Sequence, residues 1–245
     1  MIEPPVALVV GAGDFIGTAI ARRFAAGGYT AALGRRHAEK LAPVVAEIEA
    51  AGGRARAFAL DARDEDNVVA VFEQIEREQG PLEVVVFNVG ANVHFPILET
   101  TSRVFRKVWE MACFAGFLCG REAAKHMRPR GRGSIFFTGA TASLRGGKGY
   151  GAFSSAKSGL RALAQSMARE LGPENLHVAH LVIDAGVDTA WVRERLREAG
   201  RDPAALPEGT LMNPASVGEA YWMLHQQPRD AWTFELDIRP YRETW

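Results

Sequence analysis

Residues 6–17, VALVVGAGDFIG, join a run of five apolar residues to a glycine-rich turn, and a segment of helical period follows at once. A short apolar run of this kind is typical of a strand buried on both faces. Glycines at 11, 13 and 17 permit a tight turn, whose backbone N–H groups can bind a pyrophosphate at the helix N-terminus. Because the spacing is not G-x-G-x-x-G, a turn that needs glycine for its backbone alone stays open as the alternative.

The alternation of short apolar runs and helical segments continues along the chain. Runs of strand type lie at 6–10, 29–33, 55–60, 84–87, 135–138, 178–183 and 233–238, and helices that end at glycines are predicted at 16–26, 38–51 and 65–79. Apolar runs joined by helical crossovers indicate a parallel sheet with helices on both faces. We therefore predict an α/β, doubly wound Rossmann fold around a seven-stranded, mostly parallel sheet.

Length and charge limit the classes of partner. At 245 residues, with 47% hydrophobic and 24% charged residues, the chain is predicted to form a single domain over 1–245. Basic and acidic residues balance at 29 each, so no net field attracts nucleic acid or an anionic membrane. A small molecule is the expected partner, and neither nucleic acid nor a membrane is expected.

The cysteines and the N-terminus indicate the compartment. Cys113 and Cys119 lie six residues apart in an apolar helical stretch, which is the spacing of neither a disulfide framework nor a pair of metal ligands. The first residues have the pattern of neither a signal peptide nor a transmembrane segment. We expect a cytoplasmic protein without a metal site.

The least regular segment of the chain is 186–213. A short charged helix at 191–199 is followed there by two prolines, Pro203 and Pro207. Long irregular connections in a compact domain are often functional. The segment is therefore predicted to cover the substrate side of the sheet.

Motifs that follow several of the strands resemble those of the classical short-chain dehydrogenase/reductase family, and the resemblance covers nearly the whole chain. The family's first turn reads T-G-x-x-x-G-x-G, where this chain has Val10, Gly11, Phe15 and Gly17. Residues 88–90, NVG, are similar to the family's N-A-G, and residues 184–189, DAGVDT, to its P-G-x-x-x-T. The resemblance implies an NAD(P)-dependent oxidoreductase. It assigns cofactor binding to Gly11, Gly13, Phe15, Ile16, Gly17, Asp61, Asn88, Gly90, Lys157, Gly186 and Thr189.

The end of the second strand bears on the choice between NAD and NADP. An NAD binder usually has a carboxylate there for the ribose hydroxyls, whereas an NADP binder uses a guanidinium for the 2′-phosphate. Gly34 and Arg35 occupy this position and favour NADP. The charge of Asp14, in the glycine turn, opposes the phosphate. Arg35 can also be interpreted as an ordinary solvated arginine at the start of a helix.

The family's catalytic positions are mostly replaced in this chain. When the sequence is aligned on Lys157, the asparagine, serine and tyrosine of the family fall on Cys113, Ala140 and Phe153. In the family the lysine bonds the nicotinamide ribose and lowers the pKa of the tyrosine. The chain thus resembles a divergent subgroup that has phenylalanine in place of the catalytic tyrosine and retains the lysine. A lost general acid costs roughly 100- to 10,000-fold in rate.

The helix that holds Lys157 also permits a purely structural interpretation. Its apolar residues recur at spacings of three and four, at positions 153, 156, 160, 163, 167 and 171. A lysine one turn along such a face can extend its ammonium group to water. Periodicity alone favours this interpretation, and the family motifs favour a role in cofactor binding.

Tyr150, seven residues before Lys157, is the candidate replacement for the missing acid. The same Tyr-to-Lys spacing is found in enoyl-acyl-carrier-protein reductases, relatives that reduce a carbon–carbon double bond, where a phenol stabilises an enolate oxygen. Family members often carry an aromatic residue at this position for packing alone, which is the alternative. Thr141, Ser143 and His94 are further candidates with weaker support.

Three functions stay open on these residues. The first is an oxidoreductase with an atypical active site, in which Lys157 and Tyr150 serve the reduction of a carbonyl or an activated alkene. The second is a nucleotide-binding pseudoenzyme that acts as a sensor or as a subunit of an oligomer, and the third is a fold used for interaction without a cofactor. By resemblance, the chain is expected to form a homodimer or homotetramer through the helices at 102–127 and 152–171.

Overall fold

The computed structural model describes residues 4–243, so residues 1–3 and 244–245 of the predicted domain lie outside the described residues. The strands are β1 (Val6–Val10), β2 (Thr30–Arg35), β3 (Arg54–Ala59), β4 (Leu82–Phe87), β5 (Gly133–Thr138), β6 (Leu176–Ile183) and β7 (Glu235–Ile238). The α-helices are α1 (Ile16–Ala26), α2 (Ala42–Ala50), α3 (Glu65–Glu78), α4 (Ser102–Trp109), α5 (Ala115–Met127), α6 (Gly151–Leu171), α7 (Ala190–Glu198) and α8 (Pro214–His225). Short 3₁₀ turns lie at Ala38–Leu41, Ile97–Glu99, Arg128–Arg130, Thr141–Ser143, Gly172–Glu174, Pro203–Ala205 and Arg229–Ala231, and a π-helical turn at Glu110–Phe114.

The strands form one seven-stranded sheet in the order β3-β2-β1-β4-β5-β6-β7, and every neighbouring pair is parallel. The predicted doubly wound Rossmann fold is confirmed. The strand order reverses direction between β1 and β4, and in such sheets ligands bind at this point, beyond the carboxyl ends of the strands.

Two apolar cores cover the two faces of the sheet. On one face α3, α5 and α6 pack against the strands, with Phe72 and Phe137 among the fully buried side chains. On the other face α1, α2 and α8 do so, around Phe24, Phe136 and Tyr221. All five residues of β1 are buried, which explains the uninterrupted apolar run that opens the chain.

Apart from shifts of one or two residues at the ends of elements, three elements differ from their predicted form. The helix predicted over 38–51 begins as a 3₁₀ turn, and the continuous helix predicted over 102–127 is interrupted by the π-helical turn. β7 begins at Glu235, because Thr233 is already engaged: its N–H donates to Gln227 Oε1 at 2.7 Å and its carbonyl accepts from His177 Nε2 at 2.9 Å. α8 was not predicted, although Asn213 caps it and Pro214 opens it.

The segment 186–213 is closed at its base by backbone hydrogen bonds. Met212 N–H donates to the Gly186 carbonyl at 2.9 Å, and Asp188 N–H donates to the Met212 carbonyl at 2.8 Å. α7 begins one residue before the predicted 191–199, because Thr189 Oγ1 accepts from the Val192 N–H at 3.1 Å and caps the helix. Within residues 4–243, no helix combines the length and the hydropathy needed to cross a membrane.

Candidate active site

A cleft of about 400 Å³ opens beyond the carboxyl ends of the first four strands. Ten of the twelve residues predicted to bind a cofactor line it, namely Gly11, Gly13, Phe15, Ile16, Gly17, Arg35, Asp61, Asn88, Gly90 and Thr189. Gly186 lines a neighbouring cleft, and Lys157 lies buried beside the strand ends. The structure therefore brings together residues that lie up to 178 positions apart in the chain.

The glycine turn of this cleft depends on the absence of side chains. Gly11 has φ +83°, and a Cβ there would lie 2.8 Å from the Asn88 carbonyl oxygen. A Cβ on Gly17 would lie 2.7 Å from the Gly11 carbonyl oxygen, whereas one on Gly13 would meet nothing within 4 Å. Phe15 keeps 36% of its surface exposed at the mouth of the turn. The turn is thus tight at its two ends and open at Gly13.

Asn88 joins three strand ends beneath the turn. Its side-chain Nδ2 donates to the Gly11 carbonyl at 3.2 Å, and its backbone N–H donates to the Val10 carbonyl at 2.8 Å. Its Oδ1 accepts from Thr138 Oγ1 at 3.1 Å. These bonds hold the turn after β1 in register with the ends of β4 and β5.

Two ion pairs lie in the part of the cleft beyond β2 and β3. Arg35 Nη1 lies 2.8 Å from Asp14 Oδ1, and Arg63 forms a bidentate pair with Asp61 at 2.9 and 2.6 Å. The Arg63 guanidinium lowers the pKa of the Asp61 carboxyl below its usual value. With Arg36, which also lines the cleft, three arginines face two aspartates, so one positive charge is in excess.

Lys157 points into the protein rather than toward water, with 3% of its surface exposed. Its Nζ donates to the Thr138 carbonyl at 2.8 Å and to the Val89 carbonyl at 3.2 Å. Burial penalises the charged form and lowers the pKa of the ammonium group to about 8. The alternative, in which the Lys157 ammonium group extends to water, is therefore wrong.

The positions onto which the resemblance places the family's asparagine, serine and tyrosine lie in one apolar cluster. Phe153 and Cys113 are buried in it, and Ala140 packs against it. Lys157 Nζ lies 6.0 Å from the centroid of the Phe153 ring. Burial raises the pKa of the Cys113 thiol, and the nearby Lys157 charge opposes that shift in part. Cys113 belongs to the π-helical turn, a feature frequent at functional sites.

Tyr150 lines a second cleft, of about 550 Å³, together with Gly186, and this cleft shares Ile16 and Thr189 with the first. The Tyr150 ring stands edge-on to His94, with ring centroids 4.9 Å apart. Tyr150 precedes the first residue of α6, the helix that carries Lys157. Tyr150 thus lines the cleft that adjoins the first one at Ile16 and Thr189.

Of the two hydroxyls beside Ala140, one donates its proton and the other accepts a hydrogen bond. Thr141 Oγ1 donates to the buried Asp184 carboxylate, and Ser143 Oγ accepts from the Ala140 N–H at 3.1 Å. Within residues 4–243, no group of three or more His, Cys, Asp or Glu side chains could hold a metal ion.

A sequence model of the family described as "short chain dehydrogenase" matches residues 5–199. The chain belongs to this family. A cis-4-hydroxycyclohexanecarboxylate dehydrogenase of Sinomonas cyclohexanicum is 32% identical over 217 residues, which cover 88% of this chain and 86% of that protein. The match to the uncharacterized oxidoreductase YuxG of Bacillus subtilis (strain 168) is 32% identical over 212 residues and covers 83% of this chain, but this chain spans only 31% of the length of YuxG.

Solved structures of family members have the same fold. A short-chain dehydrogenase from Rhodopseudomonas palustris is 59% identical, with a TM-score of 0.83 and 97% of this chain and 99% of that chain covered. A metagenomic short-chain oxidoreductase in complex with NADP is 25% identical, with a TM-score of 0.81 and 99% of each chain covered.

Sequence reasoning missed Arg36, which directly follows Arg35, and a second charged residue of this family member's first cleft, Arg63. The signal for Arg63 was its position two residues after Asp61 at the end of a strand, which places both side chains at the cleft. The pairing of Arg35 with Asp14 was also missed, because the residues lie 21 positions apart and meet only when β2 lies beside β1.

Proposed function

We propose that the chain is an NADPH-dependent oxidoreductase with an atypical active site, which reduces a carbonyl or an activated alkene. The observation that carries this proposal is the junction of the two clefts at Ile16 and Thr189, with Tyr150 in the second cleft and the predicted cofactor residues around the first. A reducible group in the second cleft would then adjoin a nicotinamide held by the first.

The residues of the first cleft fit a dinucleotide. The open backbone at Gly13 leaves room for a pyrophosphate beside the N-terminus of α1, where the helix dipole favours an anion. Asn88 and Lys157 would hold the nicotinamide ribose, and Thr189 the carboxamide. When bound, the nicotinamide supplies the hydride. The buried Lys157 ammonium group donates hydrogen bonds to two backbone carbonyls. The ribose hydroxyls can take the place of these acceptors or share the donor with them.

The preference for NADPH rests on the charges beyond β2. Gly34 leaves no carboxylate for the ribose hydroxyls, and the excess positive charge of Arg35, Arg36 and Arg63 suits a 2′-phosphate. Because Arg35 and Asp14 are partly exposed, their pair is weak enough for a phosphate to displace. The neighbour solved in complex with NADP supports the same preference.

Tyr150 is the proposed proton donor. It precedes Lys157 by seven residues, the spacing of the enoyl reductases, and its ring lines the second cleft. Phe153 has no proton to donate, the Thr141 proton is already donated to the Asp184 carboxylate, and Ser143 does not line the second cleft as Tyr150 does. The phenol of Tyr150 would stabilise the oxygen on which negative charge develops.

Turnover of NADPH on a panel of enals, enones and ketones tests the proposal with wild type, Tyr150→Phe and Lys157→Ala. We expect Tyr150→Phe to lower kcat by roughly 100-fold or more without loss of NADPH binding. Tyr29→Phe, at the residue before β2 and outside both clefts, is the matched control and should leave turnover unchanged. Unaltered turnover in Tyr150→Phe would make Tyr150 structural.

The apolar cluster around Phe153 favours a second function, a nucleotide-binding pseudoenzyme that acts as a sensor or as an oligomer subunit. Three positions that handle protons in the family are apolar or weakly polar here and are packed together. NADPH binding without turnover on any member of the panel would support this function instead.

The expected homodimer or homotetramer is part of the proposal. Trp109, Phe114 and Phe117 form a stacked ladder along α4 and α5, with centroids 5.9 and 6.1 Å apart, and Trp109 and Phe117 are 41% and 37% exposed. Such an exposed apolar face is typical of an interface between subunits. Sedimentation of Trp109→Asp beside wild type tests this interface.

We also propose that the segment 186–213 covers the substrate. The protein is further proposed to be cytoplasmic, because Cys113 and Cys119 are buried and form no disulfide.

A further inference from the structure

Three arginines on α7 differ in their partners. Arg193 forms a bidentate pair with Asp188 at 2.5 and 2.7 Å, and Arg197 pairs with Glu194 at 2.7 Å. Arg195 forms no ion pair with any carboxylate in the described part of the chain, and its guanidinium lies over the ring of Trp191, 4.9 Å from the centroid. Arg195 is therefore the arginine of α7 whose hydrogen-bonding capacity is not taken by an acidic side chain.

Arg195 faces the second cleft, whose wall is mostly apolar. The apolar lining comes from Ile16, Ala185, Val187, Trp191, Val192 and Leu196, and the polar groups are Asn92, Tyr150, Thr189 and Arg195. Trp191 is 50% exposed although Arg195 lies over one face of its ring, so part of its aromatic surface is left for a ligand. A cleft of about 550 Å³ accommodates a molecule of one or two rings.

We infer that the substrate is an apolar ring compound that carries a carboxylate. The ring packs on Trp191, and the carboxylate accepts two parallel hydrogen bonds from the Arg195 guanidinium, whose planar fork matches it. The partly buried, apolar surroundings strengthen this pair compared with one in water. The inference deepens the proposed function, because it names the substrate class of the same site.

The position of Arg195 sets the length of such a substrate. Arg195 lies six residues beyond Thr189 on the helix that Thr189 caps, which is about 9 Å along the helix axis. The reducible group then lies toward Thr189 and Tyr150, and the carboxylate lies toward Arg195.

A phosphate of the cofactor is the competing partner for Arg195. The arginines assigned to phosphate, Arg35, Arg36 and Arg63, line the first cleft, and Arg195 lines only the second. Because of this separation, substitution of Arg195 should leave NADPH affinity unchanged.

Calorimetric titration of 2-naphthoate and of its neutral isostere 2-naphthamide tests the inference without any need for turnover. Each ligand is titrated into wild type, Arg195→Gln and the control Arg197→Gln, whose native side chain is on the same helix and paired with Glu194. We expect wild type and Arg197→Gln to bind the carboxylate about tenfold more tightly than the amide, and Arg195→Gln to lose that difference.

Three results would overturn the inference: equal binding of carboxylate and amide by wild type, unchanged preference in Arg195→Gln, or no binding of either ligand at millimolar concentration. A parallel loss of NADPH affinity in Arg195→Gln would also overturn it, because the arginine would then serve the cofactor. If wild type does not bind NADPH but the carboxylate preference stands, the proposed function fails while the anion site remains.

Discussion

The side chain at position 153 is best understood together with its neighbours. Phe153 packs with Cys113 and Ala140 in one apolar cluster, so a hydroxyl placed there would lack a serine partner at position 140. Lys157, by contrast, keeps a buried ammonium group on the Thr138 and Val89 carbonyls beside the cofactor cleft. The residues proposed to bind the cofactor are present, whereas the asparagine, serine and tyrosine that the resemblance expects at positions 113, 140 and 153 are all replaced.

Restoring the phenol alone should therefore not restore ketone reduction. Phe153→Tyr would place a hydroxyl in an apolar cluster without a serine partner, at a stability cost of about 1 to 3 kcal/mol. We expect kcat on simple ketones to stay within the background of wild type, and Phe153→Tyr combined with Ala140→Ser to exceed it. Steady-state turnover and thermal unfolding measure the two effects. Robust ketone reduction by Phe153→Tyr alone would show that the phenol does not need the serine partner.

The ion pair between Asp14 and Arg35 bears on the proposed preference for NADPH. Asp14→Asn removes the carboxylate that pairs with the guanidinium at 2.8 Å and leaves Arg35 free for a 2′-phosphate. Exposed pairs contribute little, so we expect NADPH affinity to rise by only about twofold to fivefold, with NADH affinity unchanged. Glu39→Gln, at an exposed acid outside the cleft, should change neither value. A drop in NADPH affinity in Asp14→Asn would contradict the assignment.

At the scale of elements, local signals predicted some boundaries well. The bounds of α1, Ile16–Ala26, agree with the prediction, because an apolar period ends at glycines. The π-helical turn within 102–127 has no local signal, since it depends on how α4 and α5 pack on α6. α8 was missed because Val217, Tyr221 and Leu224 are buried in a segment without a clear polar face.

The turn between β1 and α1 contains a matched pair of glycines. A Cβ on Gly17 would lie 2.7 Å from backbone atoms of Gly11 and Ala12, whereas one on Gly13 meets nothing within 4 Å. We expect Gly17→Ala to destabilise the protein by about 1 to 3 kcal/mol and to abolish NADPH binding. Gly13→Ala should fold as wild type. Urea unfolding and NADPH titration measure both variants, and equal stability of the two would contradict the turn geometry.

Across the whole molecule, the predicted fold was confirmed because apolar runs and helical periods are local properties. The charge pattern of the cleft was harder to predict. Asp61 and Arg63 are neighbours in sequence, but their pairing depends on side-chain geometry at the end of β3. The unpaired state of Arg195 likewise appears only when the partners of Arg193 and Arg197 are known.

Buried histidines make the whole fold sensitive to acid. Burial lowers the pKa of His180 and of His225 to about 4, from 6.5. The unfolded chain therefore binds more protons than the native state between pH 6.5 and about 4, so stability falls as the pH decreases through that window. We expect a loss of about 1 to 3 kcal/mol per histidine.

Urea unfolding at pH 7, 5.5 and 4.5 measures this loss. His225→Asn removes one of the titrating groups and should flatten the pH dependence, whereas His37→Asn, at an exposed histidine, should not. Stability that stays constant from pH 7 to 4.5 would contradict the burial of these imidazoles.

The central claim is that the cofactor site is retained although the proton-handling set is not. The most direct test is an equilibrium titration of NADPH against the wild-type protein, followed by nicotinamide fluorescence. The account predicts saturable binding with a dissociation constant between about 1 μM and 1 mM, weakened in Lys157→Ala. No change in fluorescence up to millimolar NADPH would contradict it.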